Sequence, residues 1–391
     1  MTGLSEADWV QARDAAADLC TSLAAEQVDV SESAGRVLAH DCLARCDLPS
    51  FDSSAMDGWA VAGPSPWRVI GDARAGNAHS QPLEPGTAVR IATGAVVPGG
   101  ASTVIRWEDA TLADGFVNAE STDARHIRRA GEECQAGDLV AHAGSEITPA
   151  LAGFLAATGH DGIAVVRRPR IGLLLLGDEL QRSGIPSDGR VRDSLGPQLP
   201  GWLTRMGAVV AMTSHVPDDL GEVAAALKRT ARECDVVITT GGTAAGPRDH
   251  VHAAIAAAAG SLVIDCVAVR PGHPMLLATL PAAGDCMVPM IGLPGNPHSA
   301  IVGLMTFGQP IIDALLGRPV AALRSVPTVE ALRSPEGHTR LIAGNLVDGR
   351  FNLSPYGGSA MLRGLAQSSG FAVVPAGQTP AGAPIDWLPL P

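Results

Sequence analysis

Four carboxylates, Asp178, Glu179, Asp193 and Asp249, accompany two glycine-containing stretches, TTGGTAAG at 239–246 and LPGNPHS at 293–299. These are the residue types with which a protein handles a phosphorylated or oxyanionic ligand. A Gly-rich turn can face successive backbone N–H groups toward an anion with no side chain in the way. In LPGNPHS, Asn296 is a favoured N-cap and Pro297 suits the first helical position. The amides of His298 and Ser299 are then expected to point out of a positively polarised helix end. Acids beside such loops would repel the ligand unless a divalent cation mediates, and Mg²⁺ is commonly held by one or two carboxylates plus phosphate oxygens. The residues alone thus point to metal-assisted phosphoester or phosphoanhydride chemistry. Arg270 and His273 bracket the Pro-Gly turn of VAVRPGHPM and are candidates to bring positive charge to an oxyanion. Each feature also has a plainer reading: Gly-Gly closes strand-to-helix turns, Asn-Pro starts helices, and strand-end acids cap them.

The loops that carry these residues imply a particular scaffold. Continuous apolar runs, RIGLLLL, AVVAMTS, DVVITT, MLLATL and PMIGL, alternate with helical patterns from residue 170 onward. Uninterrupted apolar strands separated by helices mean a parallel sheet covered on both faces. In such a sheet ligands bind beyond the carboxyl ends of the strands, where GDEL, TTGGTAAG and LPGNPHS all fall. Upstream, residues 5–23 and 31–43 read as helices, leading into the turn-rich stretch LPSFDSSAMDGWAV. Short strands broken by Gly and Pro follow from residue 58 to about 123, and then a return to turns and a helix in ITPALAGFLAATG. The fold class is therefore multidomain α/β and β. A helical N-terminal domain (1–45 plus 124–167) carries an inserted small β domain (46–123). A three-layer α/β domain with a mostly parallel sheet (168–316) and a small C-terminal β domain (317–391) complete the chain.

Composition sets the outer bounds. A chain of 391 residues, 46% hydrophobic and only 17% charged, is too long for one core. The net charge of -12 argues against a nucleic-acid surface. Lys228 is the only lysine, which removes Schiff-base and P-loop lysine chemistry and leaves arginine the cationic work. Seven scattered cysteines read as small core residues of a reduced, cytoplasmic protein; Cys42 and Cys46 lack a second pair at zinc-site spacing. The polar N-terminus has no signal-like region and no apolar run suits a membrane span.

Seven motifs in order, LPSFDSSAMDGWAV, RIATGAVVP, GDEL, Asp193-Ser194, TTGGTAAGPRD, RPGHP and LPGNPHSA, resemble those of the molybdopterin molybdenumtransferase family, MoeA in bacteria and the E domain of gephyrin in animals. The resemblance runs along essentially the whole chain. It implies a MogA-like α/β domain and a homodimer, with the cleft between the inserted β domain of one subunit and the α/β and terminal domains of the other. It further implies that adenylated molybdopterin and molybdate are the substrates: the phosphoanhydride is cleaved, AMP leaves and molybdenum is placed on the dithiolene, with Mg²⁺ assisting. Contacts with a molybdopterin adenylyltransferase and with apo-molybdoenzymes belong to the same picture. By motif, Asp57, Thr93, Glu179, Asp218 and Asp249 fall on catalytic positions, and Glu133 replaces a family aspartate. Asp178, Glu179 and Asp249 fall on metal-binding positions, with Asp193 in the same acidic lining. Ser194, Thr240, Gly241, Gly242, Pro294, Gly295, Asn296, Pro297 and Ser299 would face the pterin nucleotide. Arg270, His273, Pro274, Ser299, Arg340 and Ser359 would surround molybdate. RPGHP replaces the family's KPGKP, GGTAAGP its GGVSVGD, and Asp193-Ser194-Leu195 its Asp-Ser-Asn. A non-catalytic pterin-binding paralogue or scaffold is the alternative those departures raise.

Overall fold

The computed structural model describes residues 4–120, 126–243, 250–284, 286–320 and 322–391. The chain forms two compact units, Gln27–Ala164 and a second made of the residues up to Glu26 together with Val165–Pro391.

The first unit is built on a six-stranded sheet in the order Thr103–Arg106, Gly58–Ala62, Thr87–Ile91, Trp67–Ala73, Phe116–Asn118, Thr111–Ala113. All neighbours are antiparallel except Trp67–Ala73 with Thr87–Ile91. Both faces of the Gly58–Ala62 strand, second in that order, are covered. Trp59, Val61 and Trp67 pack in one cluster, and Ala60, Ala62, Val89 and Val104 in another. Gly58 opens that strand because a Cβ there would lie 1.9 Å from the Ile105 carbonyl oxygen. A helix at Pro149–Ala157 follows the expected signals, with the Thr148 hydroxyl accepting from the Leu151 N–H at 3.1 Å and Pro149 in the first turn.

The helix expected over 31–43 is absent. A single 3₁₀ turn, Val30–Glu32, gives way to extended chain in which Gly35 takes a φ of +75°. The segment instead trades backbone hydrogen bonds with residues 144–147, including Leu38 N–H to Ser145 O at 3.0 Å and Ile147 N–H to Arg36 O at 2.8 Å. Strand pairing with a distant partner outweighs the local helical period of its apolar residues.

In the second unit the main sheet runs Val209–Val216, Arg170–Leu176, Val236–Thr240, Met287–Leu293, Leu276–Pro281, Ser261–Ile264. The first four are parallel and the last two join antiparallel. Leu173, Leu174, Val237, Ile238 and Ile291 are fully buried. The Val209–Val216 edge strand alternates between exposed and half-buried, so it is covered on one face where two were expected. The first helix, Trp9–Asp18, starts with an Asp8–Gln11 capping box and belongs here. Trp9 Nε1–H donates to Thr306 Oγ1 at 3.0 Å, and the buried Arg13 guanidinium donates to the Met305 carbonyl. Residues 4–26 thus pack against the α/β part, whereas the sequence grouped 1–45 with 124–167.

A second sheet in this unit runs Val269–Arg270, Thr339–Val347, Gly370–Val374, Pro384–Pro389, Arg324–Pro327 around Phe351, Ala372 and Trp387. Its first strand is two residues lent by the α/β region. That loan links the α/β chain to the C-terminal sheet at the RPGHP turn. No helix among the described residues is long and apolar enough to cross a membrane.

Candidate functional site

The strands Arg170–Leu176, Val236–Thr240 and Met287–Leu293 are sheet neighbours, with Leu175 beside Thr240 and Thr240 beside Leu293. Their carboxyl ends therefore bring GDEL, TTGG and LPGNP to one edge, as the sequence predicted. The loops adjoin closely: a Cβ on Gly295 would touch the Gly241 Cα at 3.7 Å. Their amides are less free than expected. Gly241 N–H donates to Leu293 O at 2.8 Å, and His298 N–H donates to Ser359 O at 3.2 Å. Asn296 does stand at the N-cap of the Pro297–Gly303 helix, with Pro297 first, but its side chain makes no capping bond. Thr240 is buried, and Gly241 and Gly242 take φ of +83° and +65°.

The acids divide by role. Asp178 and Asp218 meet, each backbone N–H facing the other's carboxylate at 3.3 and 3.4 Å. The next residue, Asp219, accepts from Glu222 N–H at 3.0 Å as the N-cap of Leu220–Glu233, which leaves Asp218 to the loop. The Glu179 carboxylate folds back over Gly177, 2.7 Å from where a Cβ would stand. Asp193 departs from expectation. Its Oδ1 accepts from Leu195 and Gly196 N–H at 3.0 and 2.8 Å and its Oδ2 faces His215 Nε2 at 3.2 Å, so this buried carboxylate starts the Leu195–Arg205 helix instead of lining a ligand site. Ser194 lies beside it and lines an apolar groove with Trp202 and Leu365. Asp249 lies outside the described residues.

The six residues named for molybdate, Arg270, His273, Pro274, Ser299, Arg340 and Ser359, line one cavity of about 380 Å³, with Pro294 and Asn296. Its construction follows from the borrowed strand. Val269–Arg270 lies parallel to Thr339–Val347, with Arg270 directly beside Arg340. Gly272, at φ +109°, lets the chain turn back against the Pro297–Gly303 helix; a Cβ there would sit 2.9 Å from Met275 Cε and 3.2 Å from Ser299 O. The Arg340 guanidinium is steadied by donating to Arg333 O at 3.0 Å. The buried His298 ring accepts this role on the helix side, donating Nδ1–H to Gly358 O at 3.2 Å and stacking on Phe371 at 5.7 Å. His273 differs from expectation in that its Nε2 faces Glu6 Oε1 at 2.8 Å. Glu6 was missed because nothing in an N-terminal GLSEADW run announces pairing with residues 263–268.

In the first unit, Asp57 and Thr93 come together across 36 positions. The Thr93 N–H donates to Asp57 Oδ1 at 2.7 Å and its hydroxyl at 3.0 Å, and these bonds hold the Asp57 carboxyl below the usual carboxylate range. The hollow around Asp57 also contains Asp72, Arg74, Arg90 and Trp107, with the Arg90 guanidinium over the Trp107 ring at 4.7 Å. The neighbours of Asp57 have structural duties. Asp52 accepts from Ala130 N–H and ion-pairs Arg129, and the Ser54 hydroxyl bonds within its own turn. A larger hollow of about 940 Å³ nearby is lined by Arg106, already bound to Asp109 at 2.7 Å. Glu133 is exposed, its N–H bonded to Leu48 O. The seven cysteines are free; Cys42 and Cys134 are buried as expected but Cys286 is exposed, and Cys42 faces His160 rather than Cys46.

Known proteins resemble this chain along most of its length. The chain matches the model of the MoeA N-terminal region (domain I and II) over residues 8–159, that of the probable molybdopterin binding domain over 172–314, and that of the MoeA C-terminal region (domain IV) over 325–390. It is 34% identical over 370 residues to Molybdopterin molybdenumtransferase 2 of Mycobacterium tuberculosis, covering 89% of this chain and 90% of that one. With the Molybdopterin molybdenumtransferase of Synechococcus elongatus it shares 33% identity over 384 residues, 93% of this chain and 94% of that one. Its fold matches a molybdopterin biosynthesis MoeA protein from Pyrococcus horikoshii OT3 with a TM-score of 0.81 at 22% identity, covering 97% and 99% of the two chains. The chain belongs to the molybdopterin molybdenumtransferase family, MoeA.

Proposed function

We propose that the protein is a molybdenum insertase of molybdenum cofactor biosynthesis, a transferase acting on adenylated molybdopterin and molybdate. The observation that carries this reading is the juxtaposition of Arg270 and Arg340 on adjacent strands of one small cavity. Like charges directly opposite one another destabilise a sheet. A tetrahedral dianion between two guanidinium groups turns that repulsion into attraction, with the Ser299 and Ser359 hydroxyls as further donors. Arginine is charged throughout the working pH range, so the family's missing lysine at position 270 costs the cavity no charge.

Pro294 and Asn296 line that cavity and Gly295 adjoins Gly241, and the loops Thr240-Gly241-Gly242 and Pro294-Gly295-Asn296 are assigned to the pterin phosphate. Asp178 and Glu179, at the same sheet edge, are assigned to Mg²⁺, an ion that takes hard oxygen donors, with Asp249 as the third family position. When bound, the ion supplies charge neutralisation at the phosphoanhydride. The Asp57–Thr93 turn would serve the cleft of the second subunit in a homodimer. A cytoplasmic address and contacts with the adenylyltransferase and apo-molybdoenzymes complete the proposal.

The test is incubation of the purified protein with adenylated molybdopterin, Mg²⁺ and molybdate, following AMP release and reconstitution of a cofactor-free molybdoenzyme. Both are expected, and Asp57→Asn should reduce turnover at least tenfold with an unchanged melting temperature. Tight pterin binding without AMP release would overturn the enzyme reading in favour of a binding paralogue.

A further inference from the structure

Three backbone segments meet at the rim of the arginine cavity. The N-terminal chain runs parallel to residues 263–268 through the Leu4–Ile264 and Ala7–Val267 bridges. Ala7 N–H donates to Cys266 O at 3.0 Å, and Ala268 N–H returns the bond to Ala7 O at 2.8 Å. On the same residue, the Ala268 carbonyl accepts from Thr339 N–H at 2.9 Å and starts the ladder between Val269–Arg270 and Thr339–Val347. This pairing seats Glu6 and His338 against the same short stretch of chain. The Pro-Gly turn then brings His273 back to it, with Val267 N–H held by His273 O at 3.2 Å. As a result one donor atom each from Glu6, His273 and His338 lie within 4.8 Å of one another.

We propose that Glu6, His273 and His338 form a binding site for a divalent first-row transition metal of the Zn²⁺ type. The proposal goes beyond molybdenum insertion and stands whether or not the cavity takes molybdate. Two imidazoles and one carboxylate are a donor set for such ions rather than for Mg²⁺, which takes oxygen ligands. Ligands about 2.0–2.2 Å from a tetrahedral zinc stand roughly 3.4 Å apart, and three protein donors leave a fourth position open. The His273 Nε2–Glu6 Oε1 pair, at 2.8 Å, is already inside that span. The His273 and His338 rings have centroids 5.8 Å apart and are both only half-buried, so a small side-chain rotation closes the third edge. His338 Nδ1 lies 3.0 Å from the Glu336 carbonyl, which can only accept, so in the neutral ring the proton sits on Nδ1 and Nε2 keeps its lone pair for an ion. Backbone carbonyls hold metal-binding histidines in the required tautomer in this way. Because His273 also lines the arginine cavity, an ion held here would stand at its mouth and add the positive charge that a neutral imidazole lacks.

The experiment is titration of untagged, chelator-treated full-length protein with Co²⁺ alone, reading the visible d–d bands of the bound ion, with Zn²⁺ as competitor. One equivalent per chain is expected, with affinity reduced at least tenfold in both His338→Gln and Glu6→Gln. The affinity should not fall in Arg340→Ala, where a neighbouring like charge is removed, which separates this site from the oxyanion cavity. X-ray absorption of the wild-type protein loaded with Zn²⁺ should show two imidazoles and oxygen but no sulfur, and it needs no variant to fold. Absence of stoichiometric binding, full affinity in both glutamine variants, or sulfur ligation would overturn the proposal and leave Glu6–His273 as an ion pair only.

Discussion

His298 shows how a single side chain can fix the relation between two elements. Its ring is buried between the Pro297–Gly303 helix and Phe371, and it reaches Gly358 O, so it ties the helix to the loop that carries Ser359. Burial disfavours the imidazolium and lowers its pKa from 6.5, against the opposing effect of the Gly358 bond. The sign of the pH effect follows. Below about pH 6.5 the unfolded chain takes up a proton that the folded chain resists, so the stability from this site is complete above that pH and declines beneath it. Replacing His298 with Gln removes the titration. Wild-type protein is therefore expected to lose more melting temperature than His298→Gln between about pH 7.5 and pH 5.5. Equal losses would show that His298 does not titrate in this way.

At the scale of elements, the RPGHP turn joins the α/β chain to the C-terminal sheet, and its geometry depends on Gly272. Alanine there would be forced to a φ of +109° with its Cβ against Met275 and the Ser299 carbonyl. Gly272→Ala should cost about 1–3 kcal/mol of stability and weaken molybdate binding with it, as followed by denaturant melts and by calorimetric titration. Unaltered stability and affinity would mean that the turn does not position Arg270. The sequence revealed the strands that end at this edge, since their apolar runs leave one reading. Of the residues that the family motifs name, the structure brings Asp57 to Thr93 and Arg270 to Arg340. The 31–43 segment was misread because its backbone partners lie at 144–147 and leave no local trace. Glu6 was illegible for the same reason, since it meets a histidine 267 positions away, whereas for Asp193 the helix-start role is the plainer reading that the sequence already offered.

For the whole molecule, a net charge of -12 and a site for a dianion are compatible only if positive charge is concentrated locally. Arg270 and Arg340, on adjacent strands of the C-terminal sheet, provide that concentration. Each guanidinium–oxyanion bond is worth about 1.5–3 kcal/mol, roughly 10–100-fold in affinity. The most direct measurement is the position of molybdenum in crystals soaked with molybdate, located by its anomalous scattering, alongside the molybdate affinity of Arg340→Ala. A single peak between Arg270 and Arg340, with affinity reduced about 10–100-fold in the variant, is the expected result. A peak elsewhere, or undiminished affinity in Arg340→Ala, would contradict the assignment of this cavity to molybdate.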